Sequence, residues 1–188
     1  MVEVLGIPLL QHLIEQCVEN GITDIKLLVS YKKEVIKNYF EDGSKFGASV
    51  QYISEETPRG TAGALIDALP FLNDRFLVIY GDTYLDIDFK HFWDFHKNKN
   101  GDASIFLHPN DHPHDSDLVD IDQFSKVRKL YPYPHDTEWR KNLVNAAVYI
   151  FNKTAFDGLK LDAQKLDIAK ELFPAMLKSN KQLYGYIS

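Results

Sequence analysis

Apolar side chains return at helical intervals near the start of the chain. Leu10, Leu13, Ile14, Cys17 and Val18 share one face, and Gly21 follows as a stop. Lys26 to Ser30 predicts a short strand, Val35 to Phe40 a second helix, and Ser49 to Ile53 a strand with alternating faces. Thr61 is placed to cap a helix running to about Leu69, before Pro70. Phe76 to Tyr80 is apolar without alternation, the pattern of a central strand covered on both faces. Asp88 can cap an aromatic-rich helix through Lys99, with Gly101 just past its end, and Ala103 to Leu107 reads as the next strand.

After His108 the pattern changes. Pro109, Pro113, Pro132 and Pro134 surround short strands at Leu118–Ile121 and Lys126–Leu130, which suits an irregular or hairpin insertion. Val144 to Phe151 is again a buried strand. Asp167 to Lys178 holds a helix pattern in which Pro174 implies a kink or an early break. Gln182 to Ile187 closes the pattern as a strand. Strands alternating with helices predict an α/β fold, a three-layer sandwich with a mostly parallel, Rossmann-like sheet. No repeat, low-complexity segment or linker divides residues 1–188, so one domain is expected.

Composition narrows the classes without naming one. With 188 residues, 45% hydrophobic and 26% charged, the chain can bury one substantial core. A net charge of −6 argues against a nucleic-acid or anionic-membrane surface, while leaving room for a local cationic pocket. Cys17 is the only cysteine, which excludes an internal disulfide and suits a reducing compartment. There is no apolar run of transmembrane length and the first residues do not read as a signal peptide, so the cytoplasm is the expected location.

Two features carry candidate chemistry. Gly60, Thr61, Ala62 and Gly63 are small enough for a ligand to approach the backbone, and the helix they open would aim free N–H groups at an anion or a base edge. Tight helix–sheet packing uses the same residues, and the string alone does not separate the two. Gly81 and Asp82 end the Phe76–Tyr80 strand, and in open α/β sheets ligands sit beyond the carboxyl ends of strands. A carboxylate there can bind Mg²⁺, which neutralises phosphate charge and orients a displacement. Alone, Asp82 reads as an ordinary turn aspartate; together, the two features point to nucleotide chemistry.

Across nearly its whole length the chain resembles the sugar-1-phosphate nucleotidyltransferases. Ile7-Pro8-Leu9-Leu10 is similar to that family's Lys-Pro-Leu-Leu helix start. Gly60-Thr61-Ala62-Gly63-Ala64-Leu65 is close to its Gly-Thr-Ala-Gly-Ala-Leu, and Tyr80-Gly81-Asp82 to its metal-binding Gly-Asp. Asn142-Leu143-Val144-Asn145-Ala146-Ala147-Val148-Tyr149 is similar to the strand lining the sugar pocket, and the stretch from His108 to Val119 looks like a subgroup marker. That subgroup resembles the D-glycero-D-manno-heptose 1-phosphate guanylyltransferases, some of which are fused to a phosphatase. The resemblance implies a nucleotide-diphospho-sugar transferase type of fold. It also implies attack of a sugar 1-phosphate on the α-phosphate of an NTP, GTP in this subgroup, releasing pyrophosphate with Mg²⁺ as cofactor. By position it sets Glu55, Gly60, Thr61, Ala62 and Gly81 at the nucleotide and Asp82 at the metal and in catalysis. Asp117, Asn145 and Ala147 fall at the sugar phosphate. Glu55 can accept hydrogen bonds from a guanine edge, and an exposed strand-end glutamate is an equal reading.

Several departures matter. The family's first strand and its Gly-Gly-x-Gly-Thr-Arg-Leu triphosphate loop have no counterpart in this sequence, nor does its second metal-binding aspartate. Tyr133 stands where the family has a lysine, and Ala147 where it has a glycine. A non-catalytic module that holds a nucleotide sugar is therefore the alternative. A metal-dependent glycosyltransferase using Asp86 and Asp88 is a more distant one, since Asp88 also suits a helix cap. Without a central strand the sheet would expose edges, which predicts a homo-oligomer or a rearranged edge, with a phosphatase domain as a further fused or separate partner.

Overall fold

The computed structural model describes residues 1–55, 57–83, 87–111, 113–135, 142–161 and 163–188. A tight hairpin leads in: β1 (Glu3–Val4) pairs with β2 (Ile7–Pro8) through Leu5 and Gly6, both with positive φ, as short hairpin turns require. Then α1 (Leu9–Glu19) buries Leu9, Leu13, Ile14 and Cys17, the stripe expected from the periodicity.

Next, β3 (Asp24–Val29) pairs in parallel with β4 (Ser49–Ser54), in register Asp24↔Ser49 to Val29↔Ser54. The helix α2 (Lys33–Phe40) joins them as the crossover that parallel strands need. Then α3 (Gly60–Ala68) leads to β5 (Arg75–Ile79), and α4 (Phe89–Lys99) to β6 (Ala103–Pro109). The proline-rich region holds β7 (Leu118–Ile121) and β8 (Val127–Tyr131), an antiparallel pair. The long β9 (Leu143–Asn152), α5 (Phe173–Lys178) and β10 (Leu183–Ile187) complete the chain.

The α/β expectation holds, but the larger sheet is mixed rather than mostly parallel. Its order is β10-β6-β9-β7-β8, with β5 also on β9; β9 runs antiparallel to β5, β6 and β7, and only β10 and β6 are parallel. Apolar content marks β9 as buried but says nothing of its direction. The insertion before it reverses the chain, so β9 returns against its neighbours. The predicted single helix over 167–178 also divides: residues 168–172 form a π turn and α5 follows. Pro174 has no N–H to donate and sits in the first turn of α5, where none is needed.

Side chains of β5 separate the layers. Leu77 and Ile79 pack with Cys17, Phe89 and Phe92 from α1 and α4, whereas Val78 and Tyr80 pack with Leu65, Leu172 and Phe173 from the opposite face. Among the described residues no helix is long and apolar enough to cross a membrane.

One polar group sits inside this packing. His96 on α4 is fully buried, with Nδ1 2.9 Å from Ser104 Oγ and Nε2 3.4 Å from Asn152 Oδ1. Asn152 Oδ1 also accepts from Arg75, so Nε2 carries the proton and Nδ1 accepts from the serine hydroxyl. Burial, helped by the Arg75 charge, holds the His96 pKa below the ordinary histidine value, against the pull of Asn152. Below about pH 6.5 the unfolded chain protonates this histidine while the folded chain resists, so stability falls as pH drops through that window. Thermal midpoints from pH 7.5 to 5.5 should decline more steeply in the native protein than in His96→Gln. Equal slopes would exclude His96 as the titrating group.

Among the described residues, β3 and β5 are not paired with each other. Between them lies a cavity of about 1220 Å³, whose walls include both strands, α1 and α3.

Candidate functional site

The glycine-rich turn is held by a contact with residues far along the chain. Gly60 has φ +81°, and a Cβ there would lie 2.5 Å from the Leu166 carbonyl oxygen. That carbonyl accepts from Ala62 N at 2.9 Å, while Leu166 N donates to Arg59 O at 2.8 Å. The expectation of free N–H groups at the start of this helix therefore fails at Ala62, and Gly63 N also points to Leu166 O at 3.4 Å. Ala62 is fully buried and belongs to the core. Thr61 does not cap the helix, which begins at Gly60 after Arg59. Its hydroxyl donates to Asp167 Oδ2 at 3.0 Å and accepts from Ile168 N at 3.0 Å. Packing thus accounts for Gly60 on one side, while its other side is exposed and lines the cavity.

Gly81 and Asp82 follow β5 in an exposed turn, also on the cavity wall. A Cβ on Gly81 would meet nothing nearer than Leu10 Cδ1 at 3.6 Å, so no packing demand explains that glycine. Among the described residues no side chain bonds to the Asp82 carboxylate. Glu55 lies beyond the end of β4, where its Oε1 accepts from Arg59 N at 3.2 Å. Glu55, Gly60, Thr61, Gly81 and Asp82 all line the same cavity. Five of the nine residues singled out by sequence therefore meet, and none of the five carries positive charge.

The other side is built on a break in β9. Its register with β6 shifts between Ile105↔Tyr149 and Leu107↔Asn145, and Ala147 within that bulge has φ +57°. Asn145 Oδ1 accepts from Ala147 N at 3.1 Å and so ties the bulge, while its Nδ2 donates to Tyr149 OH at 2.9 Å. Asn145 N donates to Asp117 O, and the Asp117 carboxylate accepts from Tyr133 N at 2.7 Å. A left-handed alanine is strained by roughly 1–2 kcal/mol. Ala147→Gly should stabilise the protein by about 1 kcal/mol net of glycine's extra chain entropy, raising the midpoint by about 2–4 °C. A lower midpoint in that variant would show that the bulge is not strained.

Tyr80 joins the halves. Its N–H donates to Ala147 O at 3.3 Å, its ring meets Tyr149 edge-on at 6.1 Å, and its hydroxyl interacts with Thr61 and Tyr149. Burial pushes the Tyr80 phenol up, and the Asp167 and Asp117 carboxylates add to this. Burial likewise raises Tyr149 well above the ordinary tyrosine value. Hydrogen bonds thus join Thr61 to Asp167 and Tyr149 to Asn145, with the Tyr80 ring against Tyr149.

Sequence reasoning passed over Asp167, Tyr80 and Tyr149. A signal existed for Asp167: an aspartate opening an apolar periodic run, with Glu171 four positions on. Its carboxylate accepts from Ala169 N and Lys170 N, and Glu171 reaches back to Asp167 N.

Competing constellations resolve more simply. Asp88 accepts from His91 N at 2.9 Å and caps α4; Asp86 and His112 lie outside the described residues. Among the described residues no group of three His, Cys, Asp or Glu side chains is poised to hold a metal ion. A single carboxylate such as Asp82 is still a sufficient protein ligand for Mg²⁺, which keeps several waters and takes its other ligands from substrate phosphates.

Known proteins are similar to this chain over its whole length. The mannose-1-phosphate guanylyltransferase of Mycobacterium tuberculosis is 29% identical over 189 residues, spanning 100% of this chain and 52% of the relative. A mannose-1-phosphate guanyltransferase of Gibberella zeae is 32% identical over 192 residues, spanning 99% of this chain and 51% of the relative. The chain thus spans about half the length of these relatives. The solved structure of HddC from Yersinia pseudotuberculosis superposes with a TM-score of 0.84 at 26% identity, covering 100% of this chain and 79% of that one. A second HddC structure, complexed with GMP-PN, gives 0.82 at 25% identity. The model of the nucleotidyl transferase family matches residues 1–188, and the chain belongs to that family.

Proposed function

We propose that this chain is the nucleoside-binding part of an enzyme that transfers GMP from GTP to a sugar 1-phosphate, releasing pyrophosphate. The observation that carries the reading is that Glu55, the Gly60–Thr61 turn and Gly81–Asp82 line one cavity, joined to the Asn145–Ala147 bulge by the bond from Tyr80 N to Ala147 O. Guanine is favoured by the guanylyltransferase relatives and by Glu55, whose second oxygen has no partner among the described residues. A manno-configured sugar is favoured because the relatives act on mannose 1-phosphate, while the motif from His108 to Val119 resembles the D-glycero-D-manno-heptose subgroup. Within that choice we propose the heptose 1-phosphate. A cytoplasmic site of action accompanies this reading.

The chemistry balances without a covalent intermediate. A phosphate oxygen of the sugar 1-phosphate bonds to the α-phosphorus of GTP, and the bond from that phosphorus to the bridging oxygen of the β-phosphate breaks. Mg²⁺ bound at Asp82 would neutralise phosphate charge, which Glu55, Gly60, Thr61 and Gly81 cannot do. The open side of the Gly60 turn admits the nucleoside close to the backbone. The tie from Asn145 to Ala147 N holds the bulge against which the sugar phosphate would rest. Polypeptide beyond these 188 residues would contribute the triphosphate-gripping groups and a second metal carboxylate, and a phosphatase is a proposed fused or separate partner.

Pyrophosphate release should be measured in the full protein with GTP, Mg²⁺ and, in parallel, heptose and mannose 1-phosphates. Turnover with the heptose acceptor supports the full proposal. Turnover with mannose 1-phosphate alone would retain guanylyl transfer and replace the sugar. Calorimetric binding of a GDP-sugar without turnover would assign the non-catalytic role, which Tyr133 in place of a lysine favours.

A further inference from the structure

Residues 166–168 grip the glycine-rich turn from across the chain. Leu166 N donates to Arg59 O at 2.8 Å and Leu166 O accepts from Ala62 N at 2.9 Å, while Thr61 Oγ1 bonds to both Asp167 and Ile168. Arg59 N in turn donates to Glu55 Oε1 at 3.2 Å, so the hold extends to that carboxylate. Glu55, Gly60 and Thr61 all line the cavity, and Asp167 itself does not.

The Asp167 carboxylate does two separate jobs. Its Oδ1 accepts from Ala169 N at 2.8 Å and from Lys170 N at 3.0 Å, which caps the turn that follows. A cap needs only this one oxygen, and a serine would supply it. Its Oδ2 reaches the Thr61 hydroxyl at 3.0 Å instead. A carboxylate only accepts, so the hydroxyl gives its proton to Asp167 and turns a lone pair to Ile168 N, also at 3.0 Å. The second oxygen therefore sets the direction of a side chain on the cavity wall, more than a hundred residues away in sequence.

We propose that Asp167 is a positioning residue for nucleotide binding: through Thr61 it locks the Gly60–Thr61 turn in the orientation that a nucleoside meets. The identity of the ligand rests on the guanylyl-transfer reading, and the lock rests on the hydrogen bonds alone. A turn ordered before the ligand arrives spares binding the cost of ordering it. The lock thus acts on affinity and leaves the chemical step alone.

The test compares Asp167→Asn, Thr61→Val, Thr61→Ser and the double variant Asp167→Asn/Thr61→Val in the full protein. Asparagine keeps its oxygen for Ala169 N and Lys170 N, and turns its NH₂ toward a hydroxyl that already accepts from Ile168 N. Hydrogen exchange at the Ala62 and Ile168 amides is expected to quicken about 10-fold in Asp167→Asn and Thr61→Val. The Ala169 and Lys170 amides should keep their rates in Asp167→Asn, because the cap survives. KM for GTP should rise about 10-fold in the same two variants, with kcat within about twofold of the parent. Thr61→Ser should match the parent, and the double variant should be no worse than Thr61→Val, since Asp167 acts through that hydroxyl. Additive losses in the double variant would overturn the proposal, as would unchanged exchange or an unchanged KM in Asp167→Asn. A parent without turnover would defeat the guanylyl reading instead, and the lock would then stand or fall on the exchange rates.

Discussion

Replacing Gly60 with alanine is expected to lower the thermal midpoint by about 10 °C. The new methyl carbon would sit 2.5 Å from the Leu166 carbonyl oxygen and 3.1 Å from its carbon and nitrogen, all backbone atoms. The left-handed φ of +81° adds roughly 1–2 kcal/mol of strain for any residue with a Cβ. Moving Leu166 away weakens the bonds from Ala62 N and to Arg59 O, at roughly 0.5–1.5 kcal/mol each. The sum is about 3 kcal/mol, and each kcal/mol is worth about 2–4 °C in a chain of this size. Gly81→Ala is the matched control, because its methyl finds ordinary space beside Leu10, and a change within about 0.5 kcal/mol is expected. If Gly60→Ala kept full stability while nucleotide affinity collapsed, the turn would be glycine-rich for ligand approach and not for packing.

Asp82→Asn is expected to lower kcat for pyrophosphate release by roughly 10²–10³-fold, with the Mg²⁺ requirement shifted to higher concentration. The amide keeps the shape and removes the charge that would hold the cation. Asp82 is exposed and bonds to no side chain among the described residues, so the midpoint should move by less than about 0.5 kcal/mol equivalent. The split between lost turnover and kept stability is the diagnostic. Full turnover in the variant at limiting Mg²⁺ would remove Asp82 from the metal site. In the complete protein the comparison also guards against a folding defect, since circular dichroism and midpoint should match the parent.

We propose that the self-association expected from open edges would use unpaired strand edges of this fold. Among the described residues β3, β4, β5, β8 and β10 each have an unpaired edge, and those of β3 and β5 flank the cavity. A homo-oligomer of the 188-residue chain is proposed on that ground.

Much of the architecture was legible because each element carries its own period. The stripe of Leu13, Ile14 and Cys17 could sit only on a helix face, and Asp88 capped α4 as its position implied. The unbroken apolar run of β5 correctly implied cover on both faces. What failed were the statements that depend on a distant partner. Thr61 looked like a cap because local pattern cannot show that Asp167 and Ile168, more than a hundred residues away, take its hydroxyl. The helix start looked open because nothing near Gly60 in sequence reveals that Leu166 closes it.

By itself the sequence determined the alternation of strands and helices, the family resemblance and the candidate carboxylate at the end of β5. Those are properties of short segments, set by side-chain period, turn chemistry and residue type. Tertiary structure alone decided that β9 runs against its neighbours and that Ala147 is forced into a left-handed bulge. It also decided that Tyr80 bonds to the Ala147 carbonyl and that β3 and β5 line one cavity. Each of these needs a hydrogen bond, or a missing one, between segments far apart in the chain. No local pattern encodes such a pairing, because its free energy is realised only once the layers have packed.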